Sequence, residues 1–157
     1  LIRQYCLESI GNEYTIERIT NPSLSLQEDL WHRLHEYSIS KLGDKNLESK
    51  EFFAILVKEG DTLVAASLCY LFFKGLNLQL LWVAEGKRGQ DLGTKLLKQI
   101  ESEALGLGAT LVFGYSFGFQ APKFYTKLGY EEVGKIPNYP EGQNCYFFCK
   151  KLTNNSP

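Results

Sequence analysis

Two cations and two glycines, Lys87, Arg88, Gly89 and Gly93, stand between a strand-like run and a helix-like run. Leu92, Leu96, Leu97, Ile100 and Ala104 follow at helical spacing. The first N–H groups of a helix lack internal acceptors, and the macrodipole puts partial positive charge at that end. Small residues let an anion approach the backbone, and the two cationic side chains add full charge. The stretch therefore predicts a pyrophosphate site. A loop with two glycines is weak evidence by itself, since most such loops are plain turns. Gly93-Thr94-Lys95 has the wrong order for a P-loop, and Gly89 and Gly93 are too far apart for a dinucleotide fingerprint.

Other reactive side chains are sparse. Tyr125 falls in Lys123-Phe124-Tyr125-Thr126, and a phenol with a pKa of about 10 can hydrogen-bond or donate to a thiolate. From position alone, a tyrosine packed on a helix competes seriously with that role. His32 and His35 lie three apart on a predicted helix, where they could bind metal or carry protons. No carboxylate or cysteine stands at ligand spacing, so a polar helix face is the favoured reading and no metal is expected. Of Cys6, Cys69, Cys145 and Cys149, the last two fall in a predicted strand, where an i, i+4 pair is roughly 13 Å apart and cannot bridge. No C-x-x-C occurs, so free thiols in a reducing cytoplasm are expected.

The elements that must position these groups read as follows. Leu76, Leu78 and Leu80 alternate with Asn77 and Gln79, then Leu81 and Val83 continue the apolar set one residue out of step. Such a slip is the mark of a β-bulge, which splays a strand and frees backbone N–H and C=O groups. Asn12–Thr20 reads as a first strand, and Ser25–Glu28 as a capping box opening a helix to about Leu42, with Leu26, Leu30, Leu34 and Tyr37 as its buried stripe. Phe52–Val57 and Leu63–Phe73 form a hairpin around Lys58–Asp61, and with the bulged strand they make an antiparallel meander. After the central helix, Ala109–Phe117 reads as a buried strand returning parallel to the bulged one by a right-handed crossover. A short helix starts at Gln120–Pro122, and Tyr130–Ile136 and Asn144–Leu152 close the chain as a strand pair. The fold class is α/β of the α+β type: a mixed, mainly antiparallel sheet splayed at 76–84 and 109–117 and flanked by helices.

With 157 residues, 44% hydrophobic and 22% charged, one soluble domain over 1–157 is expected, its ends at 1–11 and 153–157 poorly ordered. A net charge of −1 argues against general attraction to nucleic acid or membrane surfaces. No transmembrane window or secretory pattern is visible, so a cytoplasmic monomer or homodimer is expected. The sequence starts at Leu1 and contains no Met, so a processed or trimmed start is expected.

Arg88-Gly89-Gln90-Asp91-Leu92-Gly93-Thr94 resembles the (Gln/Arg)-x-x-Gly-x-(Gly/Ala) signature of the GNAT superfamily of N-acetyltransferases. Arg88 and Gly93 match its outer positions, and Asp91 stands where the middle glycine is usual. The strand before it and Phe119–Tyr130 also look like the family, so the likeness covers residues 76–151. The resemblance implies that the loop amides hold the pyrophosphate of acetyl-CoA and that Gln120 also lies at the cofactor. It implies that the pantetheine arm pairs with the bulged strand, with the amides around Trp82 and Val83 facing it and one polarising the thioester carbonyl. Tyr125 resembles the tyrosine that protonates the departing thiolate. An asparagine frequent seven residues earlier in the family is here Gly118. The first helix would lie beside the acceptor pocket, where His32 or His35 could touch substrate.

The implied activity is acetyl transfer from acetyl-CoA to a primary amine on a small molecule or peptide, by direct attack in a ternary complex. Cys69 could serve as a nucleophile, but no histidine is recognisably placed beside it. No general base is assigned: Glu85 reads as a solvated loop carboxylate, and neither Asn77, where some members carry glutamate, nor Gln79 can act as one. A non-catalytic acyl-CoA-binding or sensing module is the alternative, with a nucleotide-binding protein third.

Overall fold

A computed structural model describes residues 16–42 and 51–153. The chain divides into two compact units after Gly43. In the first, helix α1 spans Leu24–Leu42. Its cap is Ser23 rather than Ser25: the Ser23 hydroxyl accepts the Leu26 N–H at 3.2 Å, and Gln27 reaches back to the Pro22 carbonyl. The expected stripe is not buried, with Leu30, Leu34 and Tyr37 all more than half exposed. No residue of α1 is fully buried, and Leu26, His35, Ser38 and Ile39 are half-buried. Residues 16–20 are not strand; the rest of that expected element, 12–15, lies outside the described residues.

The second unit is built on a six-stranded sheet. Strands β1 (Glu51–Glu59), β2 (Thr62–Phe72) and β3 (Gly75–Val83) form the antiparallel meander. Helix α2 (Leu92–Gly106) leads to β4 (Leu111–Phe117), helix α3 (Pro122–Lys127), then β5 (Glu131–Pro137) and β6 (Asn144–Lys151). The strand order is β1-β2-β3-β4-β6-β5, with β3 and β4 the parallel pair. Leu96, Leu97, Ile100 and Ala104 of α2 bury against Leu76, Leu78 and Val112. Among the described residues no helix is long and apolar enough to cross a membrane.

The bulge falls where the apolar phase slips. Leu68 pairs with Leu80 while Cys69 pairs with Leu78, so Gln79 is the extra residue. Leu76 and Leu78 before it, and Leu81 and Val83 after it, all join the core cluster, while Leu80 and Trp82 are exposed. The parallel β3–β4 pairing stops there: it runs only from Gly75–Leu111 to Leu78–Gly114. At this apex glycine is required, because a Cβ on Gly114 would lie 2.7 Å from the Leu78 carbonyl. Beyond it each strand keeps its outer partner, β3 pairing with β2 to Val83 and β4 with β6 to Phe117. The sheet is two knitted halves that part at one point.

The β4 expectation needs correction. Its aromatic side chains are not the buried ones: Val112, Gly114 and Ser116 face the core, while Phe113 and Tyr115 are 39% and 50% exposed. Alternation assigns the faces, and Gly114 takes the core side because the Leu78 carbonyl and the Phe148 ring leave no room there for a Cβ.

A part-buried ion pair ties α2 to β6. The Lys150 ammonium donates to both Glu101 oxygens at 2.9 and 2.8 Å and to the Leu128 carbonyl at 3.1 Å. Removing the cation leaves a carboxylate 9% exposed and unpaired. Lys150→Met should lower stability by about 3 kcal/mol, roughly 6–12 °C in Tm. Adding Glu101→Leu should restore most of it, as urea melts of the single and double variants will show.

Candidate active site

The parted strands enclose a cleft of about 880 Å³. Its walls are the second half of β3, the end of β4, the loop from Lys87 to Thr94, and α3. Past the apex the strand edges facing the gap have no ladder partner among the described residues. Successive N–H groups of a strand point to opposite sides. Ala84 donates to Val64 at 2.9 Å, so the Trp82 amide points toward β2 and the Val83 amide faces the gap. The Val83 carbonyl, on that same side, accepts the Arg88 Nε–H at 3.2 Å.

The loop is shaped to present the helix end. A short 3₁₀ turn, Glu85–Lys87, precedes it. The first bond of α2 joins the Lys95 N–H to the Asp91 carbonyl at 3.0 Å. The amides of Leu92, Gly93 and Thr94 therefore lack intrahelical acceptors, and no side chain caps them. A Cβ on Gly93 would meet the Phe124 ring at 3.3 Å, so glycine lets the helix end press against α3. The two cations divide their work. Lys87 pairs with Glu59 on β1 at 2.7 Å, while Arg88 anchors the loop to β3 through Nε and keeps its remaining N–H groups.

Asp91 has φ 64 and ψ 9, the left-handed region. That conformation is why glycine suits this position, and a short polar side chain such as aspartate tolerates it best among the rest. The loop geometry thus survives the substitution.

Tyr125 sits 7% exposed on α3 and lines the cleft. It stacks on Phe148 with centroids 3.8 Å apart and meets Phe124 and Tyr130 edge-on. Burial pushes its hydroxyl up to about 12. Gln120 has a structural task as well: its side-chain oxygen accepts the Phe117 N–H at 2.9 Å. Gly118 backs onto the start of β6, where a Cβ would stand 3.1 Å from the Gln143 side chain.

The sequence matches the family model described as Acetyltransferase (GNAT) domain over residues 49–132, more than half of its length. The chain belongs to the GNAT acetyltransferase family. Blasticidin-S acetyltransferase of Streptomyces morookaense is 33% identical over 97 residues, covering 60% of this chain and 70% of that protein. A solved acetyltransferase from Bacillus cereus ATCC 14579 is 32% identical, with TM-score 0.77 over 87% of this chain and 98% of its own. An aminoglycoside 6'-N-acetyltransferase solved with coenzyme A is 19% identical, with TM-score 0.61 over 90% and 98%, a likeness of fold.

Against this acetyltransferase frame, the structure gathers Trp82, Val83, Arg88, Gly89, Asp91, Leu92, Gly93, Thr94, Gln120 and Tyr125 around one cleft. Gln90 turns its side chain back to the Gly86 carbonyl at 3.2 Å and does not line it. Asn77 lies below the apex in the paired rows, and Glu85 is exposed on the 3₁₀ turn. Cys69 is wholly buried outside the cleft, and burial pushes its thiol up to about 11. On α1, His32 faces Glu36 at 3.4 Å. Sequence reasoning did not single out Phe124, Gly114, or the aromatic residues Tyr115 and Phe119. The strict alternation Phe113-Gly114-Tyr115-Ser116-Phe117 was the available signal.

Two outcomes follow from these geometries. Asp91→Val, a β-branched residue at positive φ, should destabilise by about 1–2 kcal/mol, whereas Asp91→Gly should leave stability unchanged or slightly higher in chemical denaturation. Tyr125 is held well above the ordinary 10, and Tyr130 is pushed up too, by burial first and Glu101 second. Below pH 10 these phenols are protonated in both folded and unfolded chains. Between about 10 and about 12 only the unfolded chain releases the Tyr125 proton, so stability should fall as pH rises, by about 1.4 kcal/mol per unit for each such tyrosine. Tyr125→Phe should flatten part of that slope in melts taken across the alkaline range.

Proposed function

We propose that this protein is an acetyl-CoA-dependent N-acetyltransferase acting on a primary amine. The observation that carries the reading is the gap between β3 and β4, which runs up to three uncapped amides at the start of α2. Such a gap suits an extended thioester arm, and such a helix end suits its pyrophosphate. A relative that acetylates blasticidin-S and a neighbour of the same fold solved with coenzyme A support it.

Acetyl-CoA supplies an acyl carbon already activated toward attack. The chain's own residues bind and orient it. The amides of Leu92, Gly93 and Thr94 and the Arg88 guanidinium would hold the phosphates. The Val83 amide is the donor best aimed to polarise the carbonyl, an interaction that strengthens as charge develops on oxygen. The amine nitrogen bonds to the acetyl carbon, the carbon–sulfur bond breaks with its electron pair going to sulfur, and the proton lost by nitrogen passes to water. Tyr125 remains a neutral donor at physiological pH. Full transfer from a hydroxyl near 12 to a thiolate whose acid is near ~8.5 is uphill, so its contribution is a hydrogen bond that steadies the leaving sulfur. The raised Cys69 thiol, outside the cleft, favours direct attack over an acyl-enzyme.

A non-catalytic acyl-CoA-binding module is the second reading. It is favoured by one fact: among the described residues lining the cleft, Asp91 is the sole carboxylate and there is no histidine. Calorimetric titration with acetyl-CoA, paired with thiol release, separates the two. Arg88→Ala should weaken binding by roughly tenfold. Tyr125→Phe should lower kcat by about ten- to a hundredfold with little change in acetyl-CoA affinity. Tight binding without turnover of any amine would transfer the assignment to the binding module, and no binding at millimolar acetyl-CoA would end both.

A further inference from the structure

Beside the split, five aromatic rings gather on the face of the sheet turned away from α2. Because Val112, Gly114 and Ser116 face the core under α2, alternation sends Tyr115 and Phe117 to the other side. Tyr115 and Phe117 meet edge to face with centroids 5.6 Å apart, and Phe117 and Phe119 stack at 5.5 Å with planes 6° apart. Tyr139, from the β5–β6 loop, comes edge-on to Phe117 at 5.8 Å, and Phe147 lies 6.1 Å from Tyr115. That loop is tied in place: the Gly142 N–H donates to the Asn138 side chain at 2.8 Å, and the Asn138 N–H to the Asn144 side chain at 3.2 Å. The rings are thus held in position, yet Tyr115, Phe119 and Tyr139 are 50%, 62% and 54% exposed. Ordered aromatic surface of this kind outside a core marks a binding site.

The wall is continuous with the cleft, since Tyr115, Phe117 and Phe119 line both. Its charge is as telling as its shape. The charged side chains lining the cleft are Lys87, Arg88 and Asp91, all from the loop before α2. The lining contributed by β4 and the segment through α3 carries none. A polyamine needs carboxylates and carbonyls to replace the water around each of its cationic nitrogens. A flat ring needs π faces, and the exposed face of Phe119 offers one.

We propose that this aromatic wall is the acceptor subsite, and that it selects an amine carried on a flat aromatic or heteroaromatic ring. The inference rests on the acetyl-transfer reading and names its substrate class. The experiment compares phenethylamine and tryptamine with hexylamine, putrescine and glucosamine, following thiol release and calorimetric binding to the CoA-loaded protein. Ring amines should show kcat/KM at least about tenfold above the others, and Phe119→Ala and Tyr139→Ala should each lose about fivefold or more of that preference. Tyr139 is outside the cleft, so Tyr139→Ala should keep acetyl-CoA affinity within about twofold, which also reports that the variant is folded. Equal use of hexylamine and ring amines, or an unchanged preference in both variants, overturns the subsite. So does failure of every ring amine to bind the CoA-loaded protein. Ring amines that bind through Phe119 but are never acetylated would uphold the subsite while removing the transfer reading.

Discussion

The parting of β3 from β4 is the constraint on which the rest of this molecule depends. A strand inside a sheet normally satisfies its polar groups on both sides, and here two neighbours abandon each other after the Leu78–Gly114 pair. The arrangement is stable because each strand remains fully paired on its outer side. Gln79 makes the divergence possible by adding one residue to β3 that β2 does not match. The same insertion returns Leu81 and Val83 to the core face, so the strand bends without losing its apolar contacts.

Once the strands part, every other feature of the cleft is a matter of holding its rims. Arg88 ties the loop to the end of β3, Gly93 lets the start of α2 press on Phe124, and Gln120 caps the end of β4 by accepting the Phe117 N–H. Tyr125 is set by packing: it lies on Phe148, against Tyr130, whose ring is in turn 5.4 Å from the Lys150 ammonium. The part-buried Glu101–Lys150 pair therefore positions the phenol at one remove.

The cleft is chemically two-sided. Charge and helix dipole belong to the loop before α2, while β4 and the segment through α3 present rings and backbone. This division follows from the topology, since parallel strands bring both of their C-terminal ends to one edge of the sheet. One strand leads into a charged, glycine-bearing turn and the other into an aromatic one.

The sequence by itself determined the strands and helices of the second unit and the slip, but not the strand expected over 12–20, of which 16–20 are not strand. Alternation in Leu76–Val83 reveals a bulge because apolar phase is a local property, and the glycines before α2 announce a helix start whose first amides lack acceptors, because helix ends behave alike in any fold. It could also show that Asp91 departs from the usual glycine, though not that it adopts a left-handed backbone. Tertiary structure alone decided what depends on partners distant in the chain. The Lys87–Glu59 and Lys150–Glu101 pairs span 28 and 49 residues, separations that no periodicity records. Packing decided which face of β4 is buried, because a run rich in both small and aromatic residues fits a helix on either side until α2 arrives. The α1 stripe makes the same point in reverse: Leu30, Leu34 and Tyr37 have helical spacing yet each is more than half exposed. Periodicity states which residues can face a partner, and burial is a property of the pair.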